Sequence, residues 1–168
     1  METKLGQIAE MAKTTPQLVF TSIVHLIDEG CLERGFGKLR RWAATGIDNR
    51  RYCDYEQDLA ENIHDLHQRH KSGQYKAPDI RRAWIPKSDG HGKRPLGIST
   101  IEDKIVQRAV SDLLSGIYEN DFNRCSFGFR KGKSPHQALA HIRNRCMQYP
   151  FRWIIDADIK SCFDSFDH

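Results

Sequence analysis

Two aspartates near the end of the chain, Asp156 and Asp158, have a spacing that metal-dependent chemistry uses. They alternate with apolar residues, so a strand over residues 153–159 would place both carboxylates on one face. Asp158 would then lie at the carboxyl end of that strand. A carboxylate held there by rigid backbone suits Mg²⁺, which takes one or two protein carboxylates together with substrate phosphates. The alternative is that the aspartates only cap a following helix.

Two blocks of the chain are strongly basic. Residues 69–94 contain eight Lys and Arg residues against two Asp, and residues 122–155 contain seven and no acidic residue. The net charge of the whole chain is only +4, so the remaining segments are acidic. Such blocks indicate a surface that faces phosphate, with nucleic acid the most common partner. Solvated faces of ordinary helices are the alternative.

Short apolar stretches at residues 82–87 and 93–98 flank a Ser-Asp-Gly-His-Gly turn. This pattern predicts a β-hairpin, and Pro86 and Pro95 restrict its strands to edge positions. Helices are predicted elsewhere, because apolar residues recur at helical spacing between cap and stop residues. Their predicted segments are 3–12, 16–27, 32–42, 55–71 after Asp54, 99–118 after a Ser99–Glu102 capping box, and 135–148.

The predicted core is the apolar stripe of the 99–118 helix, with the inward side of the 135–148 helix. The stripe comprises Ile101, Ile105, Val106, Ala109, Val110, Leu113, Leu114 and Ile117, and the second set comprises Ala138, Leu139, Ile142 and Met147. His64, His67 and His70 recur at spacings of three on another helix. A hydrated polar face is the preferred interpretation of these histidines, and a metal site is the alternative.

Composition sets limits on the class of protein. At 168 residues and 39% hydrophobic content, the chain fits one domain or two small lobes. It contains no apolar run of membrane-spanning length and no apolar signal core, which predicts a soluble, non-secreted protein. The five cysteines are odd in number, scattered and never spaced C-x-x-C. Reduced thiols in the cytoplasm are therefore expected.

Several strings resemble those of group II intron-type reverse transcriptases. Residues 158–164 (Asp-Ile-Lys-Ser-Cys-Phe-Asp) are similar to the first catalytic motif of that family, and residues 85–98 are similar to its fingers hairpin. Residues 126–134 (Ser-Phe-Gly-Phe-Arg-Lys-Gly-Lys-Ser) resemble another family string, with Lys131 in place of the usual proline. Residues 43–48 resemble an Ala-Gly-Val-Asp-Gly string, but Asn49 stands where a second glycine is usual.

The resemblance implies an α+β fold. Mostly helical reverse-transcriptase fingers would surround a small antiparallel β-hairpin, and the chain would end on the first palm strand. The implied organisation is an N-terminal helical extension over residues 1–45, fingers over residues 46–150 and the start of the palm over residues 151–168.

The resemblance also implies a set of site residues. Asp158 would be catalytic and, with the carbonyl of Ile159, would bind one Mg²⁺ of a two-metal site. Lys87 and Arg94 would contact the phosphates of the incoming dNTP, to which Ile159 is also assigned. Phe163 would lie under the nucleotide sugar. The implied RNA-binding residues are Arg40, Arg41, Arg81, Arg82, Arg130, Lys131 and Lys133.

Phe127 and Phe129 have two interpretations that the residues alone leave open. Interleaved with basic residues, they could stack on bases or ribose. Alternatively, both rings are core anchors of the loop, since aromatic side chains are mostly buried.

The implied function is that of the N-terminal part of an RNA-directed DNA polymerase that serves intron mobility, with RNA, a DNA primer and dNTP as partners and no membrane. No string resembles the family's second, Asp-Asp motif, so the chain is predicted not to polymerise alone. One alternative is an RNA-binding splicing cofactor without polymerase activity. Another is a related reverse transcriptase of CRISPR adaptation, phage defence or diversity generation. The unpaired palm strand predicts a homodimer.

Overall fold

The computed structural model describes residues 4–87, 90–160, 162, 165 and 166. The chain divides into two compact units, Met1–Asn120 and Asp121–His168. The first unit contains helices α1 (Lys4–Thr14), α2 (Glu29–Gly37), α3 (Tyr52–Gln57), α4 (Leu59–Lys71) and α5 (Ile101–Tyr118), a 3-10 turn at Val24–Leu26, and strands β1 (Arg81–Pro86) and β2 (Lys93–Ile98). The second unit contains helix α6 (Pro135–Gln148).

Helix α5 is the centre of the first unit. It packs against α1 and α2, and α2 also packs against α4. Most of its predicted stripe is inaccessible to solvent, because Ile101, Ile105, Val106, Ala109 and Leu113 are all buried. Each of the buried isoleucine, valine and leucine side chains contributes about 1.5–3 kcal/mol by leaving water. The prediction of this helix and its core face is confirmed, except that Leu114 is 38% exposed.

The start of α5 differs from the prediction by one residue. The hydroxyl of Thr100, and not that of Ser99, accepts the capping hydrogen bond from the backbone N–H of Asp103. Thr100 and Asp103 are both buried. The shift has a physical reason, since Glu102 is occupied in an ion pair with Arg69 at 2.9 Å and does not reach back to a cap.

The helix predicted over residues 16–27 is absent. Only the 3-10 turn Val24–Leu26 forms there, and α2 begins after its cap Asp28, whose side chain accepts from the N–H of Cys31 at 2.9 Å. The β-branched residues Val19, Thr21, Ile23 and Val24 explain this outcome, because they lose rotamer freedom in a helix. The predicted helix 32–42 likewise ends early, at Gly37.

The predicted helix after Asp54 forms as two pieces. Helix α3 starts after Arg51. The Asp54 carboxylate accepts a hydrogen bond from the N–H of Arg51 at 3.0 Å, so Asp54 caps the helix from within its first turn and does not precede it. The chain leaves helical geometry at Asp58 and α4 then runs to Lys71. Helix α4 stops at Ser72 as predicted, with Gly73 in the left-handed region at φ +71°.

The two strands pair as an antiparallel hairpin, which confirms the sequence prediction. The register joins Arg81 to Ile98 and Pro86 to Lys93. The prolines are tolerated because each strand of a two-stranded sheet is an edge.

In the second unit, two predictions are wrong: the burial of one face of α6 and the strand over residues 153–159. Helix α6 begins with the predicted cap Ser134, which forms a reciprocal capping box with Gln137. None of its residues is buried, so Leu139, Ile142 and Met147 are exposed, contrary to the expected inward side. No strand forms over residues 153–159 either. A strand needs a hydrogen-bonding partner, and among the residues described no segment pairs with this one.

The α+β class with a mostly helical body and a small antiparallel hairpin is confirmed. None of the described helices is long and apolar enough to cross a membrane. All five cysteines are free thiols. The division into residues 1–45, 46–150 and 151–168 remains a prediction.

Candidate nucleic-acid interface

The hairpin tip is held by two backbone hydrogen bonds. The N–H of Lys87 donates to the carbonyl of Gly92, and the N–H of Gly90 donates to the carbonyl of Lys87, both at 3.1 Å. Gly90 and Gly92 have φ values of +73° and +85°, a region that glycine enters without steric cost. The turn glycines therefore set the conformation that closes the tip.

Strand alternation assigns the hairpin's basic residues to two faces. Arg94 lies opposite Ile85, and Lys87 follows two residues after Ile85, so both belong to one face. Both are exposed, and neither forms an ion pair within the part of the chain described. The register thus assigns the two residues predicted to bind dNTP phosphates to the same face of the hairpin.

The opposite face of the hairpin carries Arg82 and Lys93 around Trp84. The Trp84 ring is 58% exposed although tryptophan is usually well buried. An exposed aromatic ring between two cations is a typical stacking platform for bases. Arg81, also predicted to bind RNA, lies on the Lys87 face and is half-buried.

The loop before α3 contacts the beginning of α5. Gly46 lies so close to Thr100 that a Cβ atom added to Gly46 would stand 2.6 Å from the Cα atom of Thr100. Asn49 has φ +55°, which only glycine adopts freely and asparagine tolerates best among other residues. This explains why asparagine can replace the second glycine of the family string. Lys104 Nζ donates to the carbonyl of Ala44 at 2.6 Å, and burial lowers the pKa of Lys104.

The turn after α2 presents Arg40, Arg41 and Trp42. Arg41 forms an ion pair with Glu56 at 2.7 Å and stacks its guanidinium 5.4 Å from the centre of the Tyr52 ring. Arg40 is exposed, and Trp42 is 97% exposed. The structure therefore places an uncovered indole next to two arginines that were predicted to bind RNA.

A network of polar side chains joins α4 and α5 beneath these loops. Arg69 pairs with Asp65 at 2.7 Å and with Glu102 at 2.9 Å. The hydroxyl of Tyr75 donates to Asp103 at 3.3 Å, and burial, followed by the neighbouring Asp103 carboxylate, raises the pKa of Tyr75. These contacts fix the helices from which the hairpin extends.

In the second unit, Arg130 organises the basic loop. Its Nη1 donates to the carbonyl of Asn123 at 3.1 Å and to that of Ser126 at 2.8 Å, and its guanidinium lies 4.8 Å from the centre of the Phe122 ring. Lys131 and Lys133 are exposed. The ammonium of Lys133 is 5.8 Å from the centre of the Phe127 ring.

The two phenylalanines of this loop differ in environment. Phe127 is half-buried, with its ring centre 5.7 Å from that of His141. Phe129 is fully exposed on a backbone with φ +55°, which is rare for a bulky residue. Strain of this kind persists mainly at functional sites. Phe127 thus fits the anchor interpretation, and Phe129 fits the stacking one.

The segment that contains the predicted catalytic residue is exposed. Asp158 Oδ1 accepts a hydrogen bond from the N–H of Ile159 at 3.0 Å. The Asp158 carboxylate and the Ile159 carbonyl are hard oxygen donors of the kind Mg²⁺ prefers. Residues 4–87, 90–160, 162, 165 and 166 contain no cluster of three metal-binding side chains. Phe163 lies outside the described residues.

Comparison with known proteins identifies the family. The family model for reverse transcriptase (RNA-dependent DNA polymerase) matches residues 85–168, which is half of the chain. The chain belongs to the reverse transcriptase family.

The relatives include a group II intron-encoded protein and an intron maturase. The chain is similar to group II intron-encoded protein LtrA of Lactococcus lactis subsp. cremoris, with 42% identity over 64% of the chain and 18% of LtrA. It is 34% identical to protein YkfC of Escherichia coli K12 over 96% of the chain and 44% of YkfC. Nuclear intron maturase 2, mitochondrial, of Arabidopsis thaliana is 35% identical over 38% of the chain and 8% of its own length. This reverse transcriptase chain therefore spans less than half the length of these relatives.

Two residues of the interface were not predicted from sequence. Trp42 was expected to continue the α2 pattern, and Trp84 was expected to belong to an apolar strand. Their position beside Arg40, Arg41 and Arg82 was the available signal, because aromatic residues interleaved with cations are typical of single-strand binding surfaces.

Proposed function

We propose that this chain is the fingers and the start of the palm of a group II intron-type RNA-directed DNA polymerase, and that it binds RNA template and incoming dNTP. The observation that carries the proposal is the hairpin face that presents Lys87 and Arg94 together, both exposed, in a chain of reverse transcriptase family. A flexible ammonium and a bidentate guanidinium together suit a triphosphate.

Each predicted residue has a defined role in this proposal. The RNA-binding side chains Arg40, Arg41, Arg81, Arg82, Lys131 and Lys133 position the template by contacting its phosphates. Arg130 holds its loop through the carbonyls of Asn123 and Ser126 and so orients the neighbouring lysines. Exposed Trp42, Trp84 and Phe129 supply stacking surfaces for bases.

Asp158 and the carbonyl of Ile159 would hold one Mg²⁺ together with substrate phosphates. When bound, a pair of Mg²⁺ ions activates the attacking hydroxyl and stabilises the leaving pyrophosphate. Phe163 is proposed to lie under the nucleotide sugar, where a ring would clash with a 2′-hydroxyl and favour deoxynucleotides. We propose the cytoplasm as the location of the protein and RNA, DNA primer and dNTP as its partners.

A second candidate function is a splicing cofactor that binds intron RNA without polymerising. It is favoured by the maturase name of one relative and by the number of cationic side chains that remain exposed on both units. A full-length sequence with an intact downstream Asp-Asp hairpin would favour the polymerase. A full-length sequence without it, in a protein that still stimulates splicing, would favour the cofactor.

RNA binding by substituted chains tests the proposal. Arg40→Gln and the double variant Lys131→Gln/Lys133→Gln should each weaken binding of a fluorescent single-stranded RNA. Each lost phosphate contact should reduce the slope of the salt dependence by about 0.7. The matched control is Lys13→Gln, which removes one exposed lysine of α1 outside both basic blocks. Equal affinity of all these variants would refute the assigned surface.

A further inference from the structure

A cleft of about 430 Å³ lies between the 3-10 turn and the last turn of α4, in the first unit. His25 lines it from the turn, and His67, His70 and Lys71 line it from α4. Val24 and Ile27 supply its apolar wall. None of these residues belongs to the hairpin strands, to the turn after α2 or to the basic loop, which carry the side chains assigned above to template and dNTP.

The acidic groups around the cleft are already paired. Asp28 caps α2 by accepting from Cys31 and forms an ion pair with Lys4 at 3.4 Å. Glu29 Oε1 lies 2.8 Å from His64 Nδ1. Asp28, which also lines the cleft, and Glu29 therefore each have a polar partner of their own.

The basic groups of the cleft have free donors. Among the described residues His25, His70 and Lys71 form no ion pair. His67 Nδ1 is buried and lies 3.4 Å from Glu29 Oε1 in a geometry that makes no hydrogen bond. A buried polar atom without a hydrogen bond is costly, so a ligand group that completes its hydrogen bonding would be favoured there.

The chemistry of the wall selects the class of ligand. The described residues contain no three metal-binding side chains arranged around one point, so the imidazoles are not gathered as a metal cage. Imidazole N–H groups and an ammonium instead suit anionic oxygens, and the rings and apolar wall suit a flat organic body. The volume is at the small end of ligand pockets and matches a single nucleotide.

We propose that this cleft binds one nucleotide, with its phosphate on Lys71, His25 and His70 and its base against the apolar wall. Two sources share this chemistry, a free mononucleotide and a nucleotide within an RNA strand. The inference does not depend on the hairpin or on polymerase activity.

The test is histidine side-chain NMR of the 168-residue chain during titration with adenosine monophosphate. The imidazole signals of His25 and His70 should shift and saturate, whereas those of His136 and His141, which lie on α6, should not. Lys71→Gln should weaken the apparent affinity about tenfold, because one charge-assisted hydrogen bond is lost. Lys71 is exposed, so this variant should fold, and Lys13→Gln serves as the matched control.

A second titration with a short single-stranded RNA distinguishes the sources. Shifts of the same two imidazoles, reversed by excess adenosine monophosphate, assign the cleft to an RNA nucleotide. Shifts with the mononucleotide alone assign it to a free one. Absent shifts, shifts that Lys71→Gln leaves unchanged, or equal shifts at His136 and His141 would overturn the proposal. RNA affinity that survives Lys71→Gln leaves the proposed function intact, so the two ideas fail separately.

Discussion

Single residues explain where this chain departs from its family. Asn49 occupies a left-handed backbone position at which the family usually has glycine. The substitution is tolerated because a short polar side chain can enter this region at moderate cost. Phe129 occupies the same region with a far bulkier side chain, and its ring is fully exposed. Asn49 is therefore a departure from the family that the turn accommodates, whereas Phe129 matches the family string and carries an exposed ring on the same kind of backbone.

Replacing Asn49 by glycine should leave the chain as stable as before or stabilise it by up to about 1 kcal/mol, whereas valine should destabilise it by about 1–2 kcal/mol. Urea denaturation measures both. The control is Gln74→Val in an exposed loop, where φ is not positive. Equal stability of the glycine and valine variants would show that position 49 does not need a left-handed conformation.

Tyr75 links the segment after α4 to α5 through its hydroxyl and should make stability fall at alkaline pH. Burial and the Asp103 carboxylate raise the pKa of Tyr75 above its value in the unfolded chain. The contribution of Tyr75 to the free energy of unfolding is therefore complete below about pH 10. It is lost as pH rises through the pKa of Tyr75 in the folded chain. Tyr75→Phe should cost about 1 kcal/mol at pH 7. The stability gap between wild type and variant should narrow above pH 10, and a gap that stays constant would contradict this account.

At the scale of elements, caps decide where helices begin. Thr100→Ala should destabilise the chain by about 1 kcal/mol, because its hydroxyl accepts the N–H of Asp103 at the start of α5. Ser99→Ala is the matched control and should have little effect. Thermal unfolding followed by circular dichroism compares them. A larger loss of stability from Ser99→Ala than from Thr100→Ala would show that Ser99 is the cap, as the sequence pattern predicted.

The elements also show how much of the fold could be predicted from the sequence. Helix α5 and the hairpin were predictable because an apolar stripe and a glycine-bearing turn are local signals. The prediction of a helix over residues 16–27 was wrong, because the apolar residues have helical spacing but the β-branched residues disfavour a helix. The exposure of Leu139 and Ile142 could not be predicted, because periodicity shows which face is apolar and not whether another element covers it.

The candidate site was predictable to a similar degree. Lys87 and Arg94 could be identified by resemblance, but the register that joins Ile85 to Arg94 was needed to assign them to one face of the hairpin. The role of Arg130 in its own loop required coordinates, because its hydrogen bonds reach the carbonyls of Asn123 and Ser126. The cleft beside His70 depends on the contact of a 3-10 turn with a helix end, which no single motif encodes.

At the scale of the molecule, exposed apolar side chains cluster near the end of the described chain. Trp153, Ile154 and Ile155 are between 86% and 91% exposed. Exposed apolar patches of this kind promote association. We therefore predict that the chain self-associates as a homodimer, which a concentration series in analytical ultracentrifugation would measure. A chain that remains monomeric at high concentration would exclude it.

The purified chain should not incorporate labelled dNTP on a primer–template. The reason is that Asp158 is the only family metal ligand of carboxylate type that its sequence matches, and polymerase chemistry uses two metal ions. Asp158→Asn is the control that separates genuine incorporation from contamination. Incorporation by the wild-type chain that this variant abolishes would contradict the prediction.

The affinity of the 168-residue chain for single-stranded RNA and for a primer–template duplex across a salt series tests the central claim most directly. We expect binding at low salt that weakens steeply as salt rises, with a slope of about −0.7 per phosphate contacted on single-stranded RNA. Substituting Lys87 and Arg94 with glutamine should lower the primer–template affinity and its slope. Absence of binding even at low salt would contradict the claim that these surfaces form a nucleic-acid interface.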